Sequence, residues 1–177
     1  FISTDKEVQN LWAIPADGGE ASAITDAKGF FGNYAWTPDS RYIICEFTKK
    51  KEDKERVPEK DKPPLYYHIK NMWYKLDGQG MLSEEKKHIW KVNVRSGKMK
   101  QLTFGKNGDE YPDVSRDGKY VVFSSNRNKD FEERIQYYDI FITRIDNGRE
   151  RKIDTPAGPK WAPVFSPDGK HIAYRRI

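Results

Sequence analysis

The chain has 177 residues, of which 36% are hydrophobic, 33% charged and 14% aromatic, enough apolar material for one ordinary domain with its own core. No apolar run approaches the ~20 residues of a membrane-spanning helix, so a membrane is not expected as a partner. The net charge is +5, but its densest run, 49–62, sets seven Lys/Arg against five Asp/Glu, a mixed solvated stretch in which no nucleic-acid footprint is expected.

In chain order, the first patterned element is Asn10-Leu11-Trp12-Ala13-Ile14, which alternates as a half-buried strand does. A turn at Gly19 follows, and then the hairpin Thr37-Pro38-Asp39-Ser40 with an apolar run from Tyr42 to Phe47. Cys45 lies in that run. It is the only cysteine, so no intrachain disulfide can form, and a small buried side chain is its expected role. Residues 49–64 hold 12 charged residues and Pro58, Pro63 and Pro64, with Val57 the one apolar residue, and this is expected to be the least ordered internal segment. The next alternating strand, His88-Ile89-Trp90-Lys91-Val92, leads to a turn at Gly97 and a strand ending at Leu102-Thr103. The hairpin Ser115-Arg116-Asp117-Gly118 precedes Tyr120-Val121-Val122-Phe123. The sequence then repeats with Asp139-Ile140-Phe141-Ile142-Thr143, Gly148, and Ser166-Pro167-Asp168-Gly169 before Ile172-Ala173.

These elements keep one phase. Asn10 to Asp39, His88 to Asp117 and Asp139 to Asp168 are each 29 residues apart. Ser-Pro-Asp-Gly suits a tight turn with Pro presetting φ and Gly free to turn left-handed. The apolar run after it suits a strand covered on both faces. One unit is therefore four short antiparallel strands, and radially repeated units of this kind are the blades of a β-propeller. The all-β chain is expected to hold a half blade over 1–26, a blade over 27–104 with an insertion at 48–87, a blade over 105–155 and a second half blade over 156–177. Both ends fall inside the repeat, so a fragment of a longer protein is expected. A β-sandwich, which also has many short strands, stays open as the alternative.

The Ser-Pro-Asp-Gly-Lys hairpin with its apolar strand resembles the propeller repeat shared by TolB, the tricorn protease and the prolyl oligopeptidase family. Tyr66-Tyr67-His68-Ile69-Lys70-Asn71-Met72-Trp73-Tyr74-Lys75-Leu76-Asp77-Gly78-Gln79-Gly80 looks like the insertion of acylaminoacyl-peptidase and dipeptidyl-aminopeptidase-like propellers. The resemblance implies a seven-bladed parent whose propeller covers a carboxy-terminal α/β-hydrolase domain and restricts access to a serine site that favours short peptides. On this reading the partners are that hydrolase domain and a short peptide, and the expected compartment is the cytoplasm, with a periplasmic or secreted protein as the other option. The alternative function is a TolB-like protein-binding propeller without catalysis.

No catalytic residue is assigned, because the chain has no Gly-x-Ser-x-Gly elbow. No cofactor is expected. His68, His88 and His171 lack metal-ligand spacing, and the two that begin repeat strands, His88 and His171, are expected to be exposed or near turns. Asn128 to Glu133 lacks the glycine of a calcium loop. Arg127, Arg134, Arg175 and Arg176 are read as surface arginines. Tyr66, Tyr67, Trp73 and Tyr74 are the candidate substrate-binding residues, as packing for the insertion or as lining of a peptide entrance.

Overall fold

The computed structural model describes residues 1–5, 8–50, 75–76, 80–81 and 85–177. All regular structure in it is β, in fifteen strands. The first sheet contains β1 (Ile2–Asp5), β2 (Val8–Ala13) and β3 (Ser22–Ala23). The second contains β4 (Gly29–Trp36), β5 (Tyr42–Lys49), β8 (His88–Asn93) and β9 (Met99–Gln101). Within the insertion, β6 (Lys75–Leu76) pairs with β7 (Gly80–Met81). The third blade-like sheet contains β10 (Asp109–Val114), β11 (Tyr120–Ser125), β12 (Asp139–Arg144) and β13 (Glu150–Lys152). The last contains β14 (Lys160–Phe165) and β15 (Ile172–Arg176).

Every pairing is antiparallel, and the two complete blades run in meander order, β4-β5-β8-β9 and β10-β11-β12-β13. This is a segment of a β-propeller, with two complete blades between two partial ones. The first partial blade has three strands, because β1 pairs along β2 from Ile2↔Leu11 to Asp5↔Val8.

The hairpin motif is locally self-sufficient. The hydroxyl of Thr37, Ser115 or Ser166 donates to the carboxylate of Asp39, Asp117 or Asp168 at 2.6–2.7 Å. The same hydroxyl oxygen accepts the N–H of Tyr42, Tyr120 or His171, and the aspartate accepts the N–H of Arg41, Lys119 or Lys170. The residue after each aspartate is left-handed: Ser40 at φ 56°, Gly118 at 68° and Gly169 at 72°.

The cores lie between blades. Leu11, Phe31, Ile43, Cys45, Phe47 and Val92 pack together with Ile2 and Ile24. Ile44 faces the other way, joining Ile89, Leu102, Val121, Phe123, Phe141 and Ile145. Alternate residues of one strand thus enter two cores, which is why the run from Tyr42 to Phe47 is apolar rather than alternating. Cys45 is fully buried and its thiol is pushed up to about 12, first by desolvation and then by the Glu46 charge, so it is inert as a nucleophile.

The strands β4, β10 and β14, which open the last three blades, carry the same bulge. Phe31 and Tyr34 oppose Phe47 and Cys45, Glu110 and Asp113 oppose Ser124 and Val122, and Trp161 and Val164 oppose Arg175 and Ala173. Three steps on one strand meet two on the other, which leaves one residue unpaired. In β10 and β14 the bulge contains a left-handed residue, Tyr111 at φ 57° and Ala162 at 52°, each followed by a proline with no N–H for the ladder.

Candidate functional site at the insertion end of the blades

The connections β5 to β8 and β11 to β12 leave their blades at the same end at which β10 and β14 begin. Charged side chains concentrate there. At the joint between the complete blades, His88 Nδ1 donates to Asp109 Oδ2 at 2.9 Å, and Arg127 Nη2 donates to Asp109 Oδ1 at 2.8 Å. Arg127 also grips Glu150 through Nη1 and Nη2. Its guanidinium carbon lies 4.5 Å from the centre of the Phe141 ring and 5.6 Å from that of Phe123. Burial works against the Asp109 charge, but hydrogen bonds from His88 and Arg127 hold its carboxyl below the usual range.

The next joint uses the same positions with donor and acceptor exchanged. Lys160 Nζ donates to Asp139 Oδ1 at 3.0 Å and to Gly158 O at 2.7 Å, while Lys152 Nζ meets Asp139 Oδ2 at 2.6 Å. Desolvation opposes the Asp139 charge, and the two lysines outweigh it, lowering its pKa. The pair Asp139/Lys160 has the same 21-residue separation as His88/Asp109. At the first joint the corresponding residue is neutral: Asn10 Oδ1 accepts from Thr25 Oγ1 and Ala27 N.

A third cluster lies beside Asp109. Glu46 of β5 is wholly buried, and its Oε1 accepts from Asn33 Nδ2 at 2.8 Å and from the Tyr111 N–H at 2.6 Å. Lys87 Nζ sits 3.2 Å from Glu46 Oε2 and 3.6 Å from Glu110 Oε1. Gly32 accommodates the carboxylate, since a Cβ there would fall 2.1 Å from Glu46 Oε2.

The expected site residues fare differently. Tyr66, Tyr67, Trp73 and Tyr74 lie outside the described residues, as do His68 and residues 51–64 of the charged run. His88, expected to be exposed or near a turn, is buried instead, because Asp109 of the following blade covers it. His171 is exposed. Arg127 is a half-buried clamp between Asp109 and Glu150 and not a surface arginine. Sequence reasoning missed Glu46, although a lone acid inside Tyr42-Ile43-Ile44-Cys45-Glu46-Phe47 is itself a signal. Asp109, Glu110 and Lys87 carried no such mark.

No protein-family model matches the chain. The chain is similar in sequence to a Bacillus subtilis protein called uncharacterized peptidase YuxL, at 29% identity over 147 residues, covering 80% of this chain and 22% of that protein. In structure it is similar to the acylaminoacyl peptidase of Pyrococcus horikoshii, with a TM-score of 0.67 at 17% identity, over 98% of this chain and 25% of that one. It is also similar to TolB from Acinetobacter baumannii, with a TM-score of 0.62 at 15% identity, over 95% of this chain and 32% of that one. The chain thus spans about a fifth to a third of the lengths of these relatives. It is a propeller segment similar to those of peptidases of the prolyl oligopeptidase kind.

Proposed function

We propose that this chain is the non-catalytic propeller segment of a serine peptidase that acts on short peptides or acyl-peptides, and that it restricts access to a hydrolase domain outside these residues. The observation that carries this reading is the sequence similarity, over 80% of the chain, to a protein called a peptidase. The chemistry agrees with it. Amide hydrolysis by a serine needs a nucleophile, a base and an oxyanion hole, and the nucleophile needs a strand-to-helix elbow. The chain has no Gly-x-Ser-x-Gly to form one. A propeller's contribution to such an enzyme is confinement and orientation of the substrate.

The second reading, a TolB-like protein-binding module, draws on the similarity to TolB over 95% of the chain. A serine-directed fluorophosphonate probe separates the two when it is applied to this chain and to its full-length parent, with acyl- and aminoacyl-nitroanilides as substrates. The peptidase reading expects a labelled, active parent and an unlabelled segment. Labelling of the segment would overturn the non-catalytic role, and an inert parent without a hydrolase domain would favour the TolB-like module.

A further inference from the structure

At the turn end of the joint between β10 and β14, opposite the insertion end, a groove of about 490 Å³ opens between the blades. Asp113, Val114 and Arg116 line one side, and Val164, Phe165 and Pro167 the other. The repeat does not require the two charges in it. The pairings Ala35↔Ile44, Asp113↔Val122 and Val164↔Ala173 put Ala35, Asp113 and Val164 in one position of the blade. The residue before the turn aspartate is Pro38, Arg116 or Pro167. The blade that begins with β10 thus carries an acid and a base where the other two copies have an apolar residue and a proline.

Both side chains are fixed from across the joint. Asp113 Oδ2 accepts the Phe165 N–H at 2.7 Å, and Arg116 Nη1 donates to the Pro167 carbonyl at 3.1 Å. These bonds leave Asp113 Oδ1 and the rest of the Arg116 fork open to the groove. Other charges at this end are matched locally, Asp117 by Lys119 at 3.7 Å and Asp146 by Arg144 at 2.6 Å. Among the described residues, Asp113 and Arg116 belong to no ion pair, although they have opposite signs and line one groove. The groove therefore holds a carboxylate and a guanidinium apart, beside apolar surface that includes the half-exposed Val164. A simple anion there would meet Asp113 and a simple cation Arg116, so charge complementarity selects a molecule that carries both charges.

We propose that this groove binds a small apolar zwitterion, with its α-carboxylate on Arg116, its α-ammonium on Asp113 and its side chain against Val164 and Phe165. A guanidinium forks onto a carboxylate in a fixed geometry, which orients the ligand. The volume lies within the range of small-molecule sites. Such a molecule is either a free apolar amino acid or an apolar dipeptide, which carry the same two charges at different spacings. The site does not depend on the peptidase reading.

The test is a titration of the 177-residue chain, followed by NMR, with leucine, Leu-Leu, N-acetyl-leucine and leucinamide. At least one of the two zwitterions should shift the amides of 113–116 and 164–166 saturably, and the one that binds more tightly identifies the source. N-acetyl-leucine lacks the cation and leucinamide lacks the anion, so each should bind about tenfold or more weakly, the scale of one charge-assisted hydrogen bond. Asp113→Asn keeps an oxygen for the Phe165 N–H and removes the charge, and it should weaken the zwitterion by a similar factor. Arg116→Pro restores the residue of the other two copies and should do the same, and Arg116→Gln repeats that test with the turn backbone unchanged. An unchanged amide spectrum elsewhere verifies each fold. No saturable shift with either zwitterion, equal binding of the singly charged analogues, or indifference to Asp113→Asn and Arg116→Gln would overturn the site.

Discussion

The hairpin turns show how much one residue contributes to a repeat. In all three, a hydroxyl and a carboxylate two positions apart bind each other and the two N–H groups beyond the turn. The following residue must be left-handed, which is easy for Gly118 and Gly169 and strained for Ser40. The strain costs an L-residue roughly 1–2 kcal/mol, while glycine's extra freedom in the unfolded chain costs roughly 0.5–1 kcal/mol. Ser40→Gly should therefore raise stability, by up to about 1 kcal/mol, and Gly118→Ala should lower it by a similar amount. Urea midpoints of the two variants should move in opposite directions, and a shift of both in the same direction would contradict this account of the turn. Gly97 is under a harder constraint. It has φ 67°, and a Cβ there would fall 2.5 Å from the Ile24 carbonyl oxygen of the preceding blade. Gly97→Ala should cost more than Gly118→Ala, whose Cβ would have an ordinary 3.6 Å contact.

Between elements, the interactions that matter join blades, and their charge sets a pH dependence. Asp109→Asn removes the anion that faces both His88 and Arg127, and should destabilise the chain by on the order of 3 kcal/mol at neutral pH. Asp109 and Asp139 have lowered carboxyl pKa values in the fold. Their contributions are complete above the ordinary carboxylate pKa of about 4 and are lost as pH falls through the lowered values. Glu110 has the opposite sign, because a raised folded pKa favours the protonated form, and its contribution is lost as pH rises through that value. Denaturant midpoints measured from pH 2 to pH 8 should therefore fall on the acid side. Asp109→Asn should flatten that fall, and Glu110→Gln should reduce any loss on the rising side. These joints also mark where sequence reasoning stops. The Thr/Ser-x-Asp turns and the 29-residue phase are local and could be read directly. Glu46 meets the Tyr111 N–H from 65 residues away, and His88 is covered by a residue 21 positions on. No local pattern states that β10 follows β8 closely enough to bury both.

At the scale of the whole molecule, the insertion separates what folds the blade from what the protein adds to it. The pairing of β5 with β8, from Tyr42↔Asn93 to Phe47↔His88, has the same form as that of β11 with β12, from Tyr120↔Arg144 to Ser125↔Asp139. The second blade closes its connection with residues 126–138 alone, so the longer stretch 50–87 is not needed for the ladder. Loop closure entropy grows only slowly with length, and shortening the first connection to the length of the second should gain about 1 kcal/mol. A variant that lacks most of 51–85 but keeps Lys87 retains the ion pairs to Glu46 and Glu110 and both interblade cores. Its thermal midpoint should therefore be unchanged, or higher by a few degrees, at the scale of about 2–4 °C per kcal/mol for a chain of this size. In the full-length parent the same excision should change the preference among acyl- and aminoacyl-nitroanilides, if Tyr66, Tyr67, Trp73 and Tyr74 line a peptide entrance. Thermal melts and a comparison of kcat/KM across the substrates measure the two effects separately. A large loss of stability with unchanged relative kcat/KM values would make the insertion a packing element and remove it from the substrate path.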